Sequence, residues 1–173
     1  MLRSGHYGAA LLAYAPLAWV LLAGGHRAAA ALALPTTLVL ARLPDLDRRL
    51  PLVRHRGGTH TVWFAGLVGM GVGGLASGLC SSPPRESPLA VGLWGVAVGG
   101  AAIGSHLLAD SITPVGIRPL WPLSDRRIAL GFVNADSWIA NTLLLWLGIV
   151  AMALGLLIGD GRWTRLVLEG WGP

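Results

Sequence analysis

His106 and Asp110 stand four residues apart inside a long apolar stretch, a spacing that puts an imidazole and a carboxylate on one face of a helix. Ionisable groups at such a place are costly to bury and need a partner. Further acids and histidines stand at the edges of other apolar stretches: His6, Asp45 and Asp47, His55 and His60, and Asp136. Imidazole and carboxylate donors together suit a divalent metal ion, zinc or manganese. Such an ion also offsets the charge of acids held near lipid. Bound, it activates water for attack on an ester or phosphoester. These histidines and acids are the candidate donors, and an aspartate left uncoordinated, Asp47 or Asp110, is the candidate general base. In Arg54-His55-Arg56-Gly57-Gly58-Thr59-His60 a glycine turn follows Arg56, whose guanidinium can grip an anionic substrate by paired hydrogen bonds. None of these spacings is a closed motif like the paired-histidine helix of zinc proteases.

The elements that must position these groups are five apolar stretches, at residues 7–24, 28–41, 62–79, 89–109 and 139–158. A helix needs roughly 20 residues to cross the hydrocarbon core. Four stretches reach or approach that length. The second is short and contains Pro35, so it reads as a thin, kinked span or a half-inserted segment, and it is counted here as a span. The expected fold is therefore all-α, an integral membrane bundle of four to five helices. Spans three and four carry glycines at small-xxx-small spacing (Gly69/Gly73, Gly74/Gly78, Gly95/Gly99, Gly100/Gly104) and are expected to touch. Ala102, Gly99 and Gly95 continue the face of His106 and Asp110, and Leu67, Gly71, Gly74 and Gly78 lie in line with His60. Both stripes are expected to face the bundle interior, bringing His60 towards His106 and Asp110.

Arginine placement gives an orientation. Cytoplasmic loops are enriched in Lys and Arg. With five spans, Arg3, Arg42, Arg48, Arg49, Arg54, Arg56, Arg118, Arg126 and Arg127 fall inside, and Arg27, Arg85, Arg162 and Arg165 outside. Every candidate ligand then lies on the cytoplasmic side of a cell (inner) membrane.

Composition supports the bilayer as solvent. Of 173 residues, 54% are apolar and only 12% charged, against about 25% charged in a soluble domain. The net charge of +5 comes from thirteen arginines and no lysine. These cluster between apolar stretches and build no continuous basic helix, so they read as topology determinants and headgroup contacts, with no nucleic acid expected. A single cysteine, Cys80, excludes an intrachain disulfide and a thiolate metal cluster. The first apolar stretch is read as a retained helix, because further spans follow it.

Each residue also has a plain reading. His26, beside Arg27, is an interfacial loop residue; His6 taken alone is a terminal one. Asp45 follows Pro44 as a turn residue, Asp47 pairs with Arg48 or Arg49, and Asp110 caps the loop or pairs with Arg118. Asp136 is a helix-start charge favoured by the dipole. Two other functions use the same residues: a transporter, with the polar groups as its pathway, and a non-catalytic scaffold or regulator, with the arginine loops holding a partner.

Four blocks together resemble the YdjM-like inner-membrane proteins, a family described as metal-dependent hydrolases. They are Gly5-His6; Leu43-Pro44-Asp45-Leu46-Asp47; His55-Arg56-Gly57-Gly58-Thr59-His60; and Ser105 to Gly116, continuing through Pro119-Leu120-Trp121-Pro122. Thr61 stands where the family often has serine, and Gly58 where a larger residue is common. The resemblance implies a helical membrane protein whose His6, Asp45, Asp47, His55, His60, His106 and Asp110 form a metal and hydrolytic site. Residues 1–173 are then one membrane-embedded hydrolase domain, with the familial motifs within 5–122. The expected function is metal-dependent hydrolysis of a phosphoester or ester in an amphiphilic substrate, such as a phospholipid or lipid-linked phosphate.

Overall fold

A computed structural model describes residues 1–49, 55–80 and 87–161. Five helices follow in order: α1 (Arg3–Ala23), α2 (Arg27–Leu40), α3 (Val62–Leu79), α4 (Pro88–Ser111) and α5 (Trp138–Gly159). Two short 3₁₀ turns, Pro44–Arg49 and Gly58–His60, separate α2 from α3. Among the described residues there is no strand, only an isolated bridge between Ile117 and Ile128. Five segments are long and apolar enough to cross a membrane, the second of them Arg27–Arg49, which joins α2 to the first turn.

Local chemistry sets the boundaries. Thr61, Ser87 and Ser137 each accept the backbone N–H three residues on and so cap α3, α4 and α5. Pro88 then occupies the first turn of α4, where its missing N–H is harmless. Gly25, at φ +81°, allows the tight reversal from α1 into α2. Pro35 lies inside α2 without ending it. On its two following residues, the Thr36 and Thr37 hydroxyls donate to the Leu32 and Ala33 carbonyls, each at 2.8 Å. The short second segment does pass from one end of the bundle to the other. Arg27 meets Asp160 beyond α5 at 2.8 Å, while Ala41, past the end of α2, reaches His106 near the end of α4.

Two helix pairs carry the packing. α3 and α4 touch, as the small-residue spacing predicts, and run antiparallel, but only half of the expected glycines serve. A Cβ on Gly95 would fall 2.7 Å from Gly73 Cα, and one on Gly99 2.9 Å from Gly69 Cα. Gly74, Gly78, Gly100 and Gly104 face open space. α1 and α5 form a second, parallel pair, in which Gly155 and Gly159, four residues apart, both pack on α1. Gly8 lies against the backbone at Leu144–Leu145, Gly148 against Gly8, and Gly155 against the Ala15 carbonyl. In lipid such close approach supplies association by dispersion and close packing. Replacing Gly95 by leucine is therefore expected to lower the melting temperature in detergent, by an overpacking cost of about 1–3 kcal/mol. Gly100→Leu, on the open face, should leave it unchanged.

The starts of α1, α3 and α5 and the ends of α2 and α4 gather at one end of the bundle, with Arg3, Arg42, Arg48, Arg49, Arg56, Arg118, Arg126 and Arg127 in the attached segments. Arg27 lies at the other end; Arg54, Arg85, Arg162 and Arg165 fall outside the described residues. The segment from Ile112 to Ser137 folds back over the first end. Leu130 N–H donates to the Ser111 carbonyl at 2.8 Å, and Pro119 accepts from Val62 N–H at 2.9 Å.

Candidate metal centre

Helix α1 brings His6 into this end, the 3₁₀ turn after α2 brings Asp45 and Asp47, and α4 brings His106 and Asp110 from one face, as their spacing predicts. His60 arrives differently. It closes a 3₁₀ turn, and Thr61 after it is extended (φ −123°, ψ 158°), so the phase of α3 does not run back through His60. The predicted stripe of Leu67, Gly71, Gly74 and Gly78 accordingly faces outward: Leu67 is 62% exposed and the three glycines meet nothing. His60 nonetheless reaches the centre, because the turn rather than the helix aims it. His6, Asp47, His60, His106 and Asp110 are all buried.

Proton bookkeeping makes the centre specific. His106 Nδ1 lies 2.7 Å from the Ala41 carbonyl, which can only accept, so Nδ1 carries the proton and Nε2 is a bare lone pair. Thr59 Oγ1 gives its proton to Asp47 Oδ2 at 2.7 Å and therefore accepts from His60 Nδ1 at 3.0 Å. His60 Nε2 is then bare as well. The two Nε2 atoms face each other at 3.2 Å. Two lone pairs at that distance repel unless a cation, a proton or a metal ion, lies between them.

Asp110 Oδ2 completes a triangle, 3.6 Å from His60 Nε2 and 3.7 Å from His106 Nε2. A tetrahedral zinc site with bonds of about 2.0–2.1 Å spaces its donor atoms roughly 3.3–3.4 Å apart. The triangle matches that edge to within a few tenths of an ångström. His6 stacks on His106 with ring centroids 3.9 Å apart, and its Nε2 is 3.7 Å from both Asp45 Oδ2 and Asp110 Oδ1. Met1 brings its amino group to 2.8 Å from Asp110 Oδ1. Asp110 Oδ2, Asp45 Oδ1 and both ring nitrogens of His6 are buried without a hydrogen bond, although Arg56 and Arg48 approach the two acids at 3.2 and 3.3 Å. An unsatisfied buried polar atom costs about 1–3 kcal/mol. The donor set, its spacing and its orphaned atoms all fit a divalent ion. Among the described residues, His60/His106/Asp110, His6/Asp45/His106 and Asp45/His55/His60 each have ligand atoms within 4.8 Å of one another.

Asp47 stands in none of these triplets. Its Oδ1 accepts from His55 Nδ1 at 2.7 Å, and its Oδ2 from Arg56 N–H at 3.1 Å and from Thr59. This grip holds Arg56 at φ +60°, a left-handed conformation unusual for a residue with a side chain. Arg56 then donates to the Gly116 carbonyl at 3.0 Å and meets Asp110. The plain pairings differ from expectation: Arg48, not Asp47's partner, lies beside Asp45 and His55, and Arg118 pairs with Asp125 at 3.4 Å rather than with Asp110. Asp136 is exposed and outside the cluster, Ser137 taking the capping role. His26 lies near Trp94 at the far end, as its loop reading implies.

Three contributors were not singled out. Thr59 sits within the HRG block, and its hydroxyl was a visible signal. Asn141, fully buried one turn into α5, accepts from Leu2 N–H and donates to the Ala135 and Ser137 carbonyls; an amide inside an apolar span was legible too. The Ala41 carbonyl has no side-chain signature at all.

Five apolar helices around a buried His/Asp cluster define a multi-pass membrane protein with a potential metal centre. The chain belongs to the YdjM inner membrane protein family, whose model matches residues 1–169, well beyond the motifs within 5–122. Neither a curated protein nor a solved structure matches it.

Proposed function

We propose that this is a metal-dependent hydrolase of the inner membrane, with its centre facing the cytoplasm, acting on a phosphoester or ester of an amphiphilic substrate. The facing pair of bare imidazole nitrogens, closed into a triangle by Asp110, carries the reading. The orientation is supported by the arginines gathered at that end.

His60, His106 and Asp110 would hold the ion, with His6 and Asp45 beside it. When bound there, a divalent ion supplies Lewis acidity towards water and a phosphoryl or acyl oxygen. Asp47 is a positioning residue, already accepting from three donors. It fixes the Nδ1–H of His55, whose Nε2 accepts from Arg48 Nε at 3.1 Å; with that contact exchanged for water, Nε2 would take a proton from the water and return it to the leaving alcohol. This assigns His55 a proton-transfer role in place of ligation. Arg56 neutralises the substrate's anionic oxygens. Burial of the donors keeps their charges weakly screened.

The test is hydrolysis of phosphatidic acid in mixed micelles by the purified protein, followed by chelation and re-addition of zinc or manganese. Turnover that disappears with the chelator and returns with one of these metals is expected. Turnover indifferent to chelation would overturn the proposal.

A further inference from the structure

Beside the centre lies a cavity of about 610 Å³ lined by His55, Arg56, Arg118, Trp121 and Arg127 and by the Gly57–Gly58 turn. Among the described residues no carboxylate lines it. The three guanidiniums come from two separate segments. Arg56 is held over it by the Gly116 carbonyl and shares Asp110 behind it. Among the described residues the carboxylate partner of Arg118 is Asp125, at 3.4 Å between exposed groups, a contact of small energetic value. Arg127 donates to a neutral carbonyl, that of Pro114, at 3.0 Å. Like charges converging on one concave surface add their fields and favour a multiply charged anion. Guanidiniums match phosphate oxygens in particular.

The rim adds a second, independent observation. The segment from Ile112 to Ser137 that carries Arg118 and Arg127 also presents Val115, Leu120, Leu123, Leu130 and Phe132 outward, Leu123 at 78% and Phe132 at 77% exposure. A segment tied back to the end of a membrane helix, with large apolar side chains exposed beside arginines, has the composition of a membrane–water interface. The cavity is thus flanked by side chains suited to the lipid headgroup level.

We propose that this cavity receives the terminal phosphate of a membrane amphiphile, a phosphomonoester carrying close to two negative charges, whose tail stays in the bilayer. Zwitterionic diesters, with no net charge, are selected against. The proposal deepens the hydrolase reading, because His55 and Arg56 belong to both cavity and centre, and the phosphate would be presented there.

Binding is measured on full-length protein in nanodiscs, with labelled phosphatidic acid against labelled phosphatidylcholine and with inorganic phosphate as competitor; metal content is read on the same samples. Wild type is expected to prefer phosphatidic acid by about tenfold or more, the worth of one charge-assisted contact. Arg118→Gln/Arg127→Gln should reduce that preference to within about twofold. Arg126→Gln, an exposed neighbour outside the lining, should leave it unchanged and controls for bulk charge. No preference in wild type, inorganic phosphate competing as well as the lipid, or a double variant binding like wild type would each overturn the inference. A protein without metal that still selects phosphatidic acid keeps this site and sinks the hydrolase reading. One with metal but no selection does the reverse.

Discussion

His106→Ala is expected to reduce the divalent ion in the purified protein from about one per chain to less than a tenth of that, and to lower turnover by more than about 100-fold. Outer partners of metal ligands typically cost 10–100-fold when lost, and a ligand costs more. The physical reason lies in two bonds of one ring. The Ala41 carbonyl fixes the proton on Nδ1, so Nε2 has nothing to offer except a lone pair, and it offers it 3.2 Å from an identical one on His60. Because His106 is fully buried, its truncation also leaves a void. His106→Gln, closer in volume, separates loss of ligation from loss of packing, and should lose the ion with a smaller fall in melting temperature than His106→Ala. Retention of the ion by both variants would show that the ring is not a ligand.

His55→Ala should give the opposite pattern. With Nδ1 committed to Asp47 and about a third of its side chain exposed, His55 would carry a proton on Nε2 once water replaces Arg48 there. Its removal is expected to lower kcat by about 10²–10⁴-fold, the usual worth of general acid–base catalysis, with KM and metal content unchanged. Asp47→Asn should move kcat in the same direction, since it acts through His55. It also touches Thr59 and the Arg56 backbone, so some loss of metal affinity should accompany it. Loss of the ion in His55→Ala would return this residue to the ligand set that its sequence context suggested.

How far the sequence carries the structure depends on whether the signal sits in a side chain's periodicity. The spans were legible because lipid demands uninterrupted apolar runs of a set length. The His106/Asp110 face was legible because both residues belong to one regular helix whose phase continues through Ala102, Gly99 and Gly95. His60 broke that logic: an extended Thr61 resets the phase, so extrapolating back from α3 chose the wrong stripe even though His60 reaches the centre. The α1/α5 pair left a partial signal: Gly155 and Gly159 stand at small-xxx-small spacing and both pack on α1, but Gly8 and Gly148 have no glycine at that spacing and nothing in α5 names its partner. Half of the α3/α4 glycines face out, since spacing identifies small faces without telling which one is used. The tautomer of His106 depends on a backbone carbonyl from another helix, which leaves no trace in residue type. Asp136 was grouped with the cluster by its place at a span end, but the neighbouring serine takes the cap and leaves the carboxylate in the open.

The most direct test is elemental analysis of wild-type protein purified without chelators or a metal-affinity tag. The account predicts at least about one zinc or manganese ion per chain, consistent with a three-donor triangle of tetrahedral spacing. A metal-free protein that stays metal-free after incubation with either ion would contradict it, leaving a shared proton between His60 and His106 as the cation that holds the two rings together.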